Sequence, residues 1–439
     1  MAIKIVNAVS DFEREPLLRP FGFKGSAIHE IWQTAVRLES NTGKSAVGLC
    51  SQNVLWADSS VFNGFSESAA NAVMYAVTDY AVQHVCGISF ETPIDLSDAI
   101  IDDVTDYARK ITGNANLKKT FVLNALVALD HAAWLLYAAE NDLDFDGMIP
   151  NEFRAPLRAH QDKIAAVPLI SYGMTEAEII RLVNDGSFFL KIKLGQPGSQ
   201  QEMAAKDQNR LVQIHRLIGS YETPYTRSGK LLYYLDANGR YQSKETLLQL
   251  FELADSIGAL EQIALVEEPF PEEIEITVQD LPVRLAADES AHTAHDALRR
   301  IEMGYRAIAL KPAAKTLSMS LRIAKTAYVH NVPCFCADLT VNPILVDWNK
   351  NIAARLEAFP NWSMSGCWRV TDGRTTAIGS GSCRIIRPAA LHGLNRRAVF
   401  IGSMIVFIDK TAASLLLRLI MNRWCKKRLK SEEQTAGTV

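Results

Sequence analysis

Residues 188–195 read FFLKIKLG, an apolar run that carries Lys191 and Lys193 two positions apart. In a β-strand the side-chain period is two, so both lysines lie on one face. Lysine is costly to bury, so a pair on the inner face of an apolar strand marks a site more readily than a solvated strand end. Four further runs follow in order, each closing on charge: LLYYLDANG (231–239) at Asp236 and Asn238, IALVEEPF (263–270) at Glu267 and Glu268, VRLAADES (283–290) at Asp288 and Glu289, and YRAIALKPA (305–313) at Lys311. Charge at the end of successive apolar strands is how a parallel barrel presents its chemistry.

Working outward, VPLISYG (167–173) precedes the series and VPCFCADL (332–339) follows it, which makes seven strand-like runs. Segments with helical patterning lie between them, among them SKETLLQLFELADSIG, TAHDALRRIEMG and LSMSLRIAKTAYVHN. Gly304 punctuates the second of these, and Asn331 and Pro333 the third. Continuous apolar strands alternating with helices predict a parallel sheet enclosed by helices, and seven units suit a barrel better than an open sheet.

The first 160 residues are of a different kind. HEIWQTAVRLES (29–40) and SAVGLCSQN (45–53) flank Asn41-Thr42-Gly43-Lys44, the turn chemistry of an antiparallel hairpin. Gly43-Lys44-Ser45 is not a phosphate loop, because Leu38 stands where that motif needs its first glycine. Helical patterns then dominate, one capped at Ser66 and a more apolar one over residues 117–141. His131, inside the latter, reads as a satisfied core or interface histidine and not as a ligand.

A 439-residue chain with 48% hydrophobic and 22% charged residues has material for two globular domains. A net charge of -3 with no basic face before the C-terminus argues against nucleic-acid binding. The N-terminal segment, interrupted by Asp11, Glu13 and Glu15, lacks the pattern of a secretory signal, so the expected location is cytoplasmic. Seven scattered cysteines suit reduced thiols, and Cys334 and Cys336, on one face of a strand, read as spectators.

Asp236, Glu267 and Asp288 end three successive strands, so their carboxylates can converge at the barrel mouth. Three hard oxygen donors that leave room for water and substrate suit Mg²⁺. Asn238, Glu268 and Glu289 are placed to orient them. Burial, the charge of Lys191 and a metal ion would each favour a neutral Lys193, the form that acts as a base.

The order Lys-x-Lys, Asp-x-Asn, Glu-Glu-Pro, Asp-Glu-Ser, Lys resembles the enolase superfamily, specifically its muconate lactonizing enzyme subgroup, over roughly residues 1–362. The resemblance implies an N-terminal α+β capping domain (1–160) and a (β/α)7β modified TIM barrel (161–365). It places capping loops near Arg19 to Gly25 and Ser51 to Ala57, closing over the active site. It also implies that Glu267, not Glu268, is the metal ligand, and that Lys193 and Lys311 face the substrate's α-carbon from opposite sides. Lysine bases paired with Mg²⁺ are established for that superfamily. The implied half-reaction is removal of a proton α to a carboxylate, giving an enediolate stabilised by the metal and Lys191. Racemisation or epimerisation is the favoured outcome; dehydration and cycloisomerisation are the alternatives. Asp338 either orients substrate or caps the following helix. The expected partner is a small-molecule carboxylate, with no nucleic acid or membrane, in a chain that could form a homo-oligomer.

After NWSM (361–364) the resemblance stops, and residues 366–439 form an atypical tail. One account is a shifted reading frame. Starting at the third base of the Gly366 codon, permitted codons through Gly379 spell LLESNGRQNYRNW, a segment resembling the family's eighth-strand region. The apolar stretch beyond it is interrupted by Asp409, Lys410 and Arg418, which disfavours a membrane span and leaves an interfacial helix as the alternative to out-of-frame peptide. An altered closing segment also keeps open a rival reading, a catalytically impaired binding or scaffold protein.

Overall fold

The alternation in the seven apolar runs becomes the two faces of one parallel sheet in the computed structural model, which describes residues 2–23, 26–161, 164–337, 341, 343–359 and 367–369. The N-terminal domain is built on β1 (Ile3–Phe23), β2 (Ser26–Ser40), β3 (Ser45–Gln52) and β4 (Ser89–Phe90), an antiparallel sheet in the order β3-β2-β1-β4. The β2–β3 hairpin forms where the sequence predicts it, and Gly43 takes the left-handed conformation (φ 86°) that the tight turn requires. The helix Glu67–His84 begins at Ser66, whose hydroxyl accepts from the Ala69 amide.

The apolar helix Lys119–Asn141 is long enough to cross a bilayer, yet it is enclosed by protein. One side, including Phe121, Leu126 and Leu136, packs in the capping-domain core, while Trp134, Leu135 and Ala138 join the core of the second domain. Burial on both sides explains why the helix is apolar all round. Gly48 on β3 lies against it so closely that a Cβ there would stand 2.1 Å from the Ala128 carbonyl oxygen.

The second domain carries β5 (Ile164–Ala166), β6 (Leu169–Ile170), β7 (Phe189–Lys193), β8 (Leu232–Asp236), β9 (Ile263–Glu267), β10 (Leu285–Ala287), β11 (Ala307–Leu310), β12 (Cys334–Cys336) and β13 (Cys367–Arg369). They are ordered β5-β13-β12-β11-β10-β9-β8-β7-β6. The two ends of that order, β5 and β6, are separated in the chain only by Val167 and Pro168, so they act as one interrupted strand and the sheet closes on itself. Counted this way, the barrel has eight parallel positions. The eighth is β13, which pairs with both β12 and β5 and lies within the segment read as tail. Asp338 and residues 370–439, with the interfacial-helix reading, lie outside the described residues.

Side-chain alternation sorts the strands. Phe189, Leu232, Tyr234, Leu265, Ala286, Ala307, Ala309 and Phe335 pack together inside the barrel, whereas Leu190, Ile192, Leu235, Val266, Leu285, Ile308, Cys334 and Cys336 face the surrounding helices. Both cysteines are buried and outside any disulfide, and burial pushes the Cys334 thiol up to about 12. Helices follow six of the first seven strand positions, three of them starting in capping boxes at Thr175, Ser199 and Thr293. The connection from β9 to β10, residues 268–284, departs from the expected alternation and contains no helix.

Candidate active site

Continuing each inner-face series by one period reaches the charged residues. Phe189 leads to Lys191 and Lys193, Tyr234 to Asp236, Leu265 to Glu267, Ala286 to Asp288, and Ala309 to Lys311. The apolar plug inside the barrel is therefore covered by a layer of ionisable groups at the C-terminal ends of the strands, where loops converge. With β5/β6 as the first position, β7 is second and β11 sixth of eight. Lys193 and Lys311 consequently rise from opposite sides of the barrel.

The carboxylates and lysines form a chain of contacts. Lys193 Nζ donates to Asp236 Oδ2 at 2.9 Å, and Lys191 Nζ lies 2.8 Å from that same oxygen and 2.5 Å from Glu267 Oε2. The Tyr234 hydroxyl also donates to Glu267 Oε2. Across the site, Lys311 Nζ lies 2.6 Å from Asp288 Oδ2. Asp236, Glu267 and Asp288 are all buried, as are Lys191 and Lys311. Asn238, Glu268 and Glu289 stand behind them. Glu268 Oε2 accepts from the Asp288 amide at 2.8 Å and from Ser290 Oγ at 3.0 Å, while Asn238 Nδ2 donates to Glu289 Oε1 at 2.9 Å. Asn238 and Glu268 both take positive φ, 45° and 38°. These strained positions sit immediately beyond the carboxylates.

Electrostatics separates the members of the cluster. Burial works against ionisation of Asp236, but the charges of Lys191 and Lys193 outweigh it and hold its carboxyl down at about 2. Asp288 is likewise held below the usual carboxylate range, with Lys311 and Lys315 overcoming burial. Glu267 moves the other way: burial and the charge of Asp236 push it well above the ordinary value despite Lys191. Burial and Glu289 push Glu268 up to about 7. For Lys191 and Lys311 burial favours the neutral form, and the neighbouring carboxylates reverse this and raise both.

Among the described residues no three acidic, cysteine or histidine side chains stand together as a finished metal site; ammonium groups neutralise the carboxylates instead. The donor chemistry nevertheless fits a hard divalent cation. Glu267 Oε1 and Asp288 Oδ1 are buried and accept no hydrogen bond, and burial and Asp236 disfavour the anionic form of Glu267. A cation shared by the three carboxylates would relieve both conditions.

Three residues at this site escaped sequence reasoning. Tyr234 had a signal, since it precedes Asp236 by one strand period. Lys315, four residues after Lys311, is fully buried, donates to the Asp288 and Ala291 carbonyls at 2.5 and 3.1 Å, and has a pKa lowered chiefly by burial. An apolar stretch with lysines at i and i+4 was its only trace. Trp56, from the short helix Val54–Ala57, places its ring 4.7 Å from Lys311 Nζ, with its indole nitrogen buried and unpaired. It lies in the second expected capping loop; residues 24 and 25 of the first lie outside the described residues.

Comparison with known proteins agrees with this architecture. Residues 175–370 match the family described as enolase C-terminal domain-like. That stretch, under half of the chain, is similar to this enolase-type domain. A dipeptide epimerase from Enterococcus faecalis V583, solved with Mg and the dipeptide L-Leu-L-Tyr, superposes with TM-score 0.59 at 17% identity, covering 84% of this chain and 90% of that one. The substrate-liganded L-Ala-D/L-Glu epimerase from Bacillus subtilis gives 0.60 at 18% identity, covering 84% and 89%. A mandelate racemase/muconate lactonizing protein from Herpetosiphon aurantiacus gives 0.59 at 16%, covering 84% and 88%. At these identities the likeness is one of fold. No curated protein matches the sequence.

Proposed function

We propose that this protein is an Mg²⁺-dependent epimerase or racemase of small carboxylates, with dipeptides as the first class to test. The observation that carries the proposal is the placement of Lys193 and Lys311 at the second and sixth of eight barrel positions, on either side of three buried carboxylates. Asp236, Glu267 and Asp288 would hold the metal, with Asn238, Glu268 and Glu289 fixing their orientation. When bound, the metal supplies Lewis-acid polarisation of the substrate carboxylate, which acidifies the α-proton.

The chain's own residues do the rest. Lys193 leaves its ion pair with Asp236 and, in its neutral form, takes the α-proton on one face. Lys191 stays charged and lies where negative charge grows on the carboxylate oxygens. Lys311 delivers a proton to the same carbon from the other face, and the configuration inverts. In the reverse direction the two lysines exchange roles. Trp56 covers Lys311 and limits water at that side. The two superposed epimerases, one bound to a dipeptide and Mg and one substrate-liganded, support dipeptides as the starting class.

Solvent deuterium exchange tests this reading. Dipeptides and simple carboxylic acids are incubated in D₂O with and without Mg²⁺, and the α-position is followed by NMR. Mg²⁺-dependent exchange that Lys193→Ala removes is the expected result, and product analysis then separates epimerisation from dehydration and cycloisomerisation. Magnesium binding with no exchange across the panel would favour the binding or scaffold reading, which the altered sequence after residue 364 motivates.

A further inference from the structure

Lys311 is followed by an unusual piece of backbone. The short helix Pro312–Lys315 ends at Thr316, whose φ of 70° and ψ of 153° fall in a region that glycine alone adopts comfortably. Such a conformation is costly and persists only where surrounding contacts hold it. Here the contacts come from the other domain. Asn124, Asp130 and His131, all on the capping helix Lys119–Asn141, reach the backbone between Pro312 and Ser318.

Asn124 is fully buried; its Nδ2 donates to the Ala314 carbonyl at 3.3 Å while its Oδ1 accepts from the Asn53 amide at 2.9 Å. One side chain thus ties the turn after Lys311 to the loop that carries Trp56. Asp130 Oδ2 accepts from the Leu317 and Ser318 amides at 2.8 and 3.3 Å, immediately after the strained threonine, and its other oxygen accepts from the Ser318 hydroxyl. His131 Nε2 lies 3.2 Å from the Pro312 carbonyl oxygen, with its ring stacked on Trp348.

We propose that Asn124 and Asp130, with His131 at the Pro312 carbonyl, are positioning residues for Lys311: the capping helix sets where that lysine sits relative to the substrate. Lys193 rises from β7 on the opposite side of the barrel, away from the Pro312–Ser318 turn, and serves as the reference. The inference rests on the epimerase reading for its catalytic consequence, and on geometry alone for the placement of the lysine.

An ordinary domain seam would also use buried hydrogen bonds, and the asymmetry between the two lysines distinguishes the two roles. Asn124→Ala and the nearly isosteric Asp130→Asn are compared with the unmodified chain after circular dichroism confirms that each is folded. Brief acylation with an amine reagent, read by peptide mass spectrometry, gives the ratio of modification at Lys311 to that at Lys193. Positioning by the capping helix requires this ratio to change by about threefold or more in Asn124→Ala, since loss of a buried hydrogen bond of about 1 kcal/mol shifts a local equilibrium by several-fold. Deuterium exchange is then measured separately from the two epimers of a substrate. The epimer whose α-proton faces Lys311 should lose about tenfold or more in rate, as misplacement of a catalytic group by a fraction of an ångström does. The other epimer should lose much less. An unchanged labelling ratio in both folded variants, or equal losses for the two epimers, overturns the proposal. If the unmodified chain exchanges neither epimer, the functional reading fails, and the labelling ratio still decides the positioning role.

Discussion

Asp130 and His131 are sequence neighbours buried in the seam between the domains, and their titrations oppose one another. Burial pushes the Asp130 carboxyl up to about 6, against the lowering effect of its Ser318 and Leu317 donors. Burial pushes the His131 imidazole down to about 3, against two carbonyl acceptors that favour its charged form. A raised carboxyl contributes its stability below the unfolded pKa near 4 and loses it as pH rises through 6. A depressed histidine contributes above its unfolded pKa near 6.5 and loses stability as pH falls towards 3.

Between pH 7.5 and pH 5 the histidine therefore costs the folded state about 2 kcal/mol, while the aspartate returns about 1.4 kcal/mol, so the pair nearly cancels. Removing either member should expose the other. Asp130→Asn should lose about 2 kcal/mol between those pH values from the unopposed histidine, and His131→Gln should gain about 1.4 kcal/mol, each measured relative to the slope left by all other groups. Urea unfolding at the two pH values, followed for the unmodified chain and both variants, checks this. Parallel pH dependence in all three proteins would refute the reasoning, because it would mean that neither group is held away from its unfolded pKa.

Two further outcomes follow from the packing and the site. Gly48→Ala must push its Cβ into the Ala128 carbonyl and the Ala132 amide, 2.1 and 2.3 Å away, and should destabilise the capping domain by about 3 kcal/mol, read as an earlier thermal transition. Saturating Mg²⁺ should raise stability by about 2.7 kcal/mol at a hundred times its dissociation constant, and Glu267→Gln should abolish that gain in a thermal-shift assay. A full Mg²⁺ response in Glu267→Gln would remove this residue from the ligand set.

Much of the barrel was legible because its strands obey two rules at once: continuous apolar composition, and charge one period beyond the inner-face apolar residue. Those rules located all seven runs and brought Lys191, Lys193, Asp236, Glu267, Asp288 and Lys311 to one layer. They are silent on pairing between charges. The resemblance set Lys193 and Lys311 against a substrate's α-carbon, and in the structure each ammonium contacts a carboxylate, because buried opposite charges within reach of one another pair. Trp56 and the capping-helix contacts were not legible for another reason. They join residues far apart in the chain, and no local periodicity encodes which face of the capping helix meets the turn after Lys311. The missing helix between β9 and β10 left its trace in Pro269, Pro271 and Pro282, which the strand–helix expectation passed over.

The eighth barrel position bears on whether the assembled site can act. β13 pairs with β5 and β12 through backbone groups, and every residue other than proline carries the same donor and acceptor. Closure by Cys367–Arg369 is therefore compatible with either reading frame, since Leu-Leu-Glu from the shifted frame would offer the same ladder. What differs between the two frames is the chemistry of the side chains. A barrel can close with the wrong eighth strand and retain its metal ligands and both lysines, yet lack the contacts that hold a substrate between them. Sequencing the encoding DNA separates the cases: a shifted frame that does not spell LLESNGRQNYRNW eliminates this explanation of the tail. If it does spell that peptide, the frame-restored chain should exceed the present one in α-proton exchange while binding Mg²⁺ equally well, because the restored residues lie beyond the three carboxylates. Equal exchange by the two chains would mean that the eighth-strand side chains do not limit the reaction.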